Sequence, residues 1–410
     1  MARWSGLLGI FLILGIAFLF SNNKKQINHR LVVSGLALQV AIALLVLKVP
    51  VANHFFQFMG RGMQKLEGFA KEGAGFVYGG VGVFDPSGHV VNYGVAPGFV
   101  FAFNITATII LVCVLVAIFY HLRIMQFIVA VVARAMNVVM RVSGAEALSN
   151  VASAFVGQIE AQVMIRAYLP TMTRSELLAS MSGSLACIAG GILIVYANMG
   201  ARPDYLIAAS LMAAPGALVI SKIVFPETEV SPTMRTVKLD VKSDYANLVD
   251  AITHGAADGF KIATNVLAML IGFIALIAMV NWMLGHAYHG LSLDFIFSKI
   301  FYPMAWAMGV PPQDINNVAT LLGQKLTVNE FVAFKSLTSN TVPILTQKGL
   351  TIVTIAICGF ANFASVGMQI GGIGALVPER RHELARLGMK ALLCGTLASY
   401  LSATIAGMMI

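Results

Sequence analysis

The chain has 410 residues, of which 58% are apolar and 11% charged, and a formal net charge of +9. Soluble domains carry about 25% charged residues, so this composition excludes a soluble enzyme or binding module and describes a multi-spanning membrane protein. Nor does the positive balance call for nucleic acid as a partner, because basic residues collect on the cytoplasmic side of polytopic proteins.

Two apolar runs, 4–20 and 31–49, open the chain and place two membrane helices within residues 1–52. The first is not a cleaved signal: no small-residue cleavage pattern follows it, and SNNKKQINHR leads straight into the second run. Residues 53–72, NHFFQFMGRGMQKLEGFAKE, change character. Phe55, Phe56, Met59, Met63, Leu66 and Phe69 recur at helical spacing, with Arg61, Lys65, Glu67, Lys71 and Glu72 mostly opposite. That pattern predicts an amphipathic helix lying on the membrane surface. The glycine-rich stretch 73–97 reads as an outer loop. A membrane helix, 99–120, and a cytoplasmic connection fill 95–145.

Further runs at 177–199, 205–225, 262–284, 350–376 and 388–409 are long enough to cross a bilayer, which takes roughly 17–25 helical residues. Residues 226–248 form a polar cytoplasmic connection too short for a domain. Basic clusters fall at Lys24/Lys25/Arg30, Arg123/Arg134/Arg141, Arg235/Lys238/Lys242 and Arg380/Arg381/Arg386/Lys390. With all four in the cytoplasm, the eight runs alternate only if 146–175 and 296–345 enter and leave on one side. The prediction is an all-α polytopic fold: eight transmembrane helices, an interfacial amphipathic helix and two opposed re-entrant hairpins, with both termini outside. Opposed hairpins bring helix ends to the bilayer midplane, a transporter device.

A loose internal echo supports this. Each hairpin is followed by two spans, and the first of each pair carries a glycine-rich mid-depth stretch: CIAGGILIVYANMG at 187–200, and GFANFASVGMQIGGIG at 359–374. Such glycine density weakens a helix or permits close helix packing. The Asn and Ser content of the second stretch favours a broken helix lining a site. Cys113, Cys187, Cys358 and Cys394 all lie in apolar runs without metal spacing and read as packing residues. His286 and His289 form a lone HxxH with no further ligand beside it.

An ionisable group at bilayer depth costs about 2.5–3.5 kcal/mol on insertion scales, so three places stand out: Gln158 with Glu160; Lys325, Asn329 and Glu330; and Asn362 with Ser365. Vicinal hydroxyls of a sugar suit Glu330 and Asn362, and a neutral heterocycle suits Gln158 and Glu160. Phe360 offers an apolar face. Lys325 reads as structural, pairing with a carboxylate or capping a helix. Arg166 ties the hairpin to the cytoplasmic surface.

GQIEAQVMIRAYLP, 157–170, resembles the GQTEAPLLIRPYL-type signature of the concentrative nucleoside transporter family. GQKLTVNEFVAF, 323–334, resembles that family's GxKxxxNEFVAY segment, and CGFANFASVGMQIGGIGALVPERR, 358–381, is very close to its most recognisable block. The resemblance covers nearly the whole chain in order. It implies a homotrimer in the bacterial inner membrane. Residues 95–145 and 249–290 would supply a scaffold, while 146–225 and 296–410 would form the halves of a transport domain that moves like an elevator. It further implies that Gly157, Gln158, Ile159 and Glu160 meet the nucleobase with Ile192 beside them. Glu330, Asn362 and Ser365 would hold the ribose, and Phe360 would line the pocket.

Three departures qualify the resemblance. The position after Gln158 is commonly Thr, Ser or Asn, and here it is Ile159. The signature's two prolines are replaced by Gln162 and Ala167, which predicts a smoother helix in the hairpin's second arm. Sodium-coupled members carry an Asn four residues before the glycine and a Ser in the unwound span, where this chain has Ser153 and Cys187. The carbonyls of Val156 and Ile188 remain as ligands, but a thiol suits a hard cation poorly. Proton coupling is therefore expected, with Glu330 the natural carrier and sodium coupling the alternative; no cofactor is required. A passive channel lacks a filter or ring motif here. An intramembrane enzyme using Glu160 and Glu330 as acid and base lacks any nucleophile or metal motif beside them.

Overall fold

The computed structural model describes residues 2–49, 101–234, 245–288, 290–338 and 345–410, together with residues 62, 65, 66, 68–70 and 72–78. Most of the predicted interfacial helix at 53–72 lies outside the described residues. Residues 72–78 are helical, so the outer loop begins later than Gly73. No strand occurs among the described residues; a single bridge joins Ser143 to Met234.

Helices α1 (Ala2–Leu19) and α2 (His29–Lys48) open the chain. α3 (Phe101–His121) meets α4 (Ile124–Met140) at a bend of 76°. The expected cytoplasmic connection is thus largely helical. Arg123 and Arg141, at its two ends, both adopt left-handed backbone with φ of 60° and 54°, which turns the chain sharply at each. Met125, Val129, Ala133, Met136 and Met140 bury one face of α4, at spacings of three and four residues.

Hairpin one consists of α5 (Gly144–Phe155), a tip at 156–159, and α6 (Glu160–Met164). Ser143 starts α5 with a capping box: its hydroxyl accepts from the Glu146 N–H, and the Glu146 carboxylate accepts from the Ser143 N–H at 2.8 Å. The second arm is not the smoother helix that the missing prolines predicted. After Met164 the chain continues in tight turns, with Arg166 N–H donating to Val163 O and Tyr168 N–H to Ile165 O. Tertiary bonds hold it so. The Gln162 side chain is drawn into the core, and the Arg380 guanidinium takes the carbonyls of Leu169 and Met172, each at 2.7 Å.

The next span is broken into α7 (Arg174–Ala186) and α8 (Gly190–Asn198) by extended backbone at Cys187 and Ala189. The break is short, and helix resumes through Gly190. Thr173 and Glu176 cap α7 with a second capping box. α9 (Pro203–Val224) is buried along almost its whole length. α10 (Leu248–Ala287), about 60 Å long at 1.5 Å per residue, lies against α3. Gly255 and Gly259 permit this approach: a Cβ on Gly259 would stand 2.7 Å from Ile110 Cα.

The second hairpin is narrower than expected. α11 (Leu293–Ile300) and α12 (Tyr302–Ala307) precede it, and the hairpin proper is α13 (Ile315–Thr327) and α14 (Glu330–Thr338). A broken span follows, α15 (Gln347–Ile357) and α16 (Phe363–Leu376), and then α17 (Arg381–Met409). The order hairpin, broken helix, long helix thus occurs twice. α9 and α17, the two long members, pack on each other, and α1 and α2 pack on both.

Both hairpins are fastened at their roots. Glu146 forms a buried ion pair with Lys222 at 2.7 Å; Lys222 also reaches Glu227 at 3.1 Å and the Ser175 hydroxyl at 2.9 Å. The predicted polar connection supplies Glu227, Ser231 and Thr233 to this root. At the other root, the Asp314 carboxylate accepts from the Thr346 N–H at 3.1 Å and its hydroxyl at 2.5 Å.

Candidate functional site

The site is assembled where two hairpin tips meet two helix breaks. The breaks touch each other: the Phe360 N–H donates to Cys187 O at 3.3 Å. Gly359 lies so near the carbonyls of Leu185 and Ala186 that no side chain fits there. The tip of hairpin one rests on the first break, with Gly157 beside Ala189. Gly157 has φ of +130°, and its missing Cβ leaves room for the Glu160 carboxylate, which folds back over it. Ile159 packs against Gly372 of α16. The Gln158 amide donates to the Met368 sulfur at 3.9 Å, a weak contact, and its carbonyl oxygen is buried with no hydrogen-bond partner among the described residues. Gln158 and Ile159 are half-buried and Glu160 is exposed. Ile192, half-buried on the first turn of α8, follows the same break.

The tip of hairpin two joins the second break. Asn362 caps α16, its Oδ1 accepting from the Ser365 N–H at 2.8 Å, while its Nδ2 donates to Glu330 Oε2 at 2.8 Å. Asn329 accepts from the Val332 N–H at 3.0 Å and so shapes the start of α14. Glu330, Asn362, Ser365 and Phe360 are all buried. The expectation that Lys325 pairs or caps is not met by any hydrogen bond. Its ammonium is fully buried on the last turn of α13, has no hydrogen-bond partner among the described residues, and is close enough to Glu330 to interact through charge.

Sequence reasoning missed Tyr196. Its fully buried ring stacks on Phe334 with centroids 4.3 Å apart and meets Phe331 edge-on at 5.0 Å, and its hydroxyl faces Glu330. The only trace in the sequence is its place one turn from the end of the broken span.

The residues expected near a coupling ion surround the end of α5. Ser153 donates to Ser149 O at 2.8 Å and lies 2.8 Å from the Ser184 hydroxyl. Cys187 Sγ donates to Asn150 O at 3.8 Å. The Ser210 hydroxyl donates to Ile188 O at 3.1 Å. Val156 ends α5 through its N–H to Ala152 O. Among the described residues no His, Cys, Asp and Glu cluster could hold a metal ion. Chemically, the site offers an amide, a carboxylate and apolar walls at one tip, and a buried carboxylate–amide pair at the other. That set hydrogen-bonds a neutral polar solute and holds no nucleophile poised for attack.

The family described as Na+ dependent nucleoside transporter matches the chain twice, its N-terminal part over residues 8–81 and its C-terminal part over residues 205–407. Between them, residues 102–203 match the family described as nucleoside recognition. The chain belongs to the concentrative nucleoside transporter family. It is 41% identical to the uncharacterized transporter YutK of Bacillus subtilis, with 99% of each chain covered. It is 37% identical to the nucleoside permease NupC of Helicobacter pylori, covering 98% of this chain and 96% of the relative. Its fold superposes on the structure of CNTnw in an inward-facing substrate-bound state with a TM-score of 0.91, at 37% identity and 100% and 99% coverage. The protein is therefore an elevator-type nucleoside transporter and a multi-pass membrane protein, and not an enzyme.

Proposed function

We propose that this nucleoside transporter is a symporter that imports nucleosides across the bacterial inner membrane, driven by a proton gradient, as a homotrimer with both termini outside. The meeting of two tips and two breaks supports it most directly. Gln158 and Glu160, with Gly157, Ile159 and Ile192, read the base; Glu330, Asn362 and Ser365 hold the ribose, with Phe360 on its flank. Neither the nitrogen nor the oxygen of the Gln158 amide has a strong partner among the described residues, so a heterocycle that both donates and accepts suits it. α3 and α10 form the scaffold, and the two hairpin-bearing halves move past it.

The coupling ion follows from the groups around Ser153. Ser153, Cys187 and Ile188 spend their polar atoms on partners within the protein. Those bonds leave lone pairs free on each atom, but a thiol and a short hydroxyl suit a hard cation poorly. Sodium drive is the second reading, favoured by the sodium dependence for which the matching family is described. Uptake of radiolabelled uridine into proteoliposomes, with proton and sodium gradients imposed separately, decides between them. Accumulation under a proton gradient in sodium-free buffer is the expected result. A strict sodium requirement overturns proton drive, and equilibration without accumulation overturns symport.

A further inference from the structure

Gln162 lies four residues beyond Gln158, fully buried, at a position where the GQTEAPLLIRPYL-type signature carries proline. Its carboxamide closes a ring of four buried serines. Ser149 and Ser153 stand on α5, Ser180 and Ser184 on α7.

Proton bookkeeping fixes the direction of every bond. Ser180 gives its one hydroxyl proton to Gln162 Oε1 at 2.8 Å, so Ser149 is the donor in the 2.5 Å contact between Ser149 and Ser180. Ser153 gives its proton to Ser149 O, so Ser184 is the donor in the 2.8 Å contact between Ser184 and Ser153. Ser149 and Ser184 then have only acceptor positions left. Gln162 Nε2 supplies one N–H to each, at 3.1 and 2.9 Å. Neither a flipped amide nor a glutamate meets this demand, because both place an acceptor where two donors are needed. A fully satisfied buried network of this kind is rigid, and a partly satisfied one is costly.

We propose that Gln162 is the positioning residue of hairpin one. Its carboxamide fastens the second arm to the first arm and to α7 at once, and so fixes the height and tilt at which Gln158 and Glu160 present themselves. The inference rests on the reading that this tip meets the nucleobase. It also accounts for the turn-like second arm. Where the signature has a proline to interrupt the helix, this chain has a side chain that pulls the backbone out of helical register.

The test compares uptake kinetics of purine and pyrimidine nucleosides, and of ribo- and 2′-deoxyribonucleosides, in variants purified as assembled protein. Gln162→Leu keeps the bulk and removes the bonds. It should raise the KM for uridine about tenfold, the range expected for unsatisfied buried hydroxyls, and flatten the preference between bases while leaving the ribose preference intact. Gln39→Leu removes a comparable buried carboxamide, bonded to Met212 O and Ser402 between α2, α9 and α17, and should leave both preferences unchanged. If Gln162→Leu does not assemble, Ser180→Ala removes one bond of the ring and should show the same pattern at about threefold. Wild-type base preference and KM in the folded variant overturn the proposal, as does loss of base and ribose preferences together. Gln158→Ala separates the two layers. A flattened base preference there, with none in Gln162→Leu, refutes the positioning role alone. An unchanged base preference in Gln158→Ala refutes the base-reading tip on which it rests.

Discussion

Hairpin one and hairpin two hold equivalent places in the two halves of the chain, and they are stabilised by opposite chemistry. Hairpin one is neutral behind its tip: Gln162 and four serines bond one another there, its buried charge (Glu146 paired with Lys222) sits at the root, and Glu160 at the tip stands exposed. Hairpin two is charged inside. Glu330 is buried against Asn362 and Tyr196, with the Lys325 ammonium nearby and without a hydrogen bond. A neutral core stays satisfied whatever the tip does, so the tip residues are free to face a ligand. A buried carboxylate with a buried ammonium close by is sensitive to any change in protonation or ligation, because breaking up buried charges is expensive. The difference fits the proposed roles, with the base read at the first hairpin's tip and Glu330 of the second both holding the ribose and carrying the proton.

The sharpest way to break this comparison is Glu330→Gln. It should lower uridine transport efficiency roughly 10- to 100-fold, as expected for hydrogen bonds to a charged group, and abolish accumulation against a gradient in assembled protein. Retained accumulation would remove hairpin two from the coupling step. Arg380→Ala comes next, because it strips the charged donor from the Leu169 and Met172 carbonyls at the end of hairpin one. A loss of about 2 kcal/mol is expected, read as a lowered thermal midpoint in detergent; an unchanged midpoint would mean the turns hold themselves. Asn362→Ala removes a helix cap worth about 1 kcal/mol and the donor to Glu330. It should weaken binding of ribonucleosides more than of their 2′-deoxy forms, and equal weakening would argue that Asn362 serves the fold alone. The smallest effect is expected for Ile159→Thr. A hydroxyl at the tip adds at most one bond of about 0.5–1.5 kcal/mol, so affinity for one class of base should rise several-fold. Unchanged affinity for both classes would place base contacts elsewhere on the tip.

Much of the fold was legible in the sequence because membrane insertion writes it in composition. Apolar run length located the long helices, the interrupted stretches between them held the two hairpins, and glycine density marked both broken helices near their true positions. The errors are of one kind. The connection after 121 is largely the helix α4, which the sequence hides because the exposed Arg134 interrupts its apolar run. The second arm of hairpin one was expected to be smooth once its prolines were gone, and it is not. Lys325, read as a pairing or capping residue, makes no hydrogen bond among the described residues and lies near Glu330.

Sequence by itself determined that this chain is a helical membrane protein with two polar hairpins, and it singled out Gln158, Glu160, Glu330, Asn362 and Ser365 as candidate site residues. Tertiary structure alone decided which of them face one another and which face outward. Glu330 meets Asn362 across 32 residues, Gln162 meets Ser184 across 22, and the two breaks join through Phe360 and Cys187. A buried polar group must be paired somewhere. The sequence shows that demand, but the partner that meets it is chosen by the packing of helices distant along the chain.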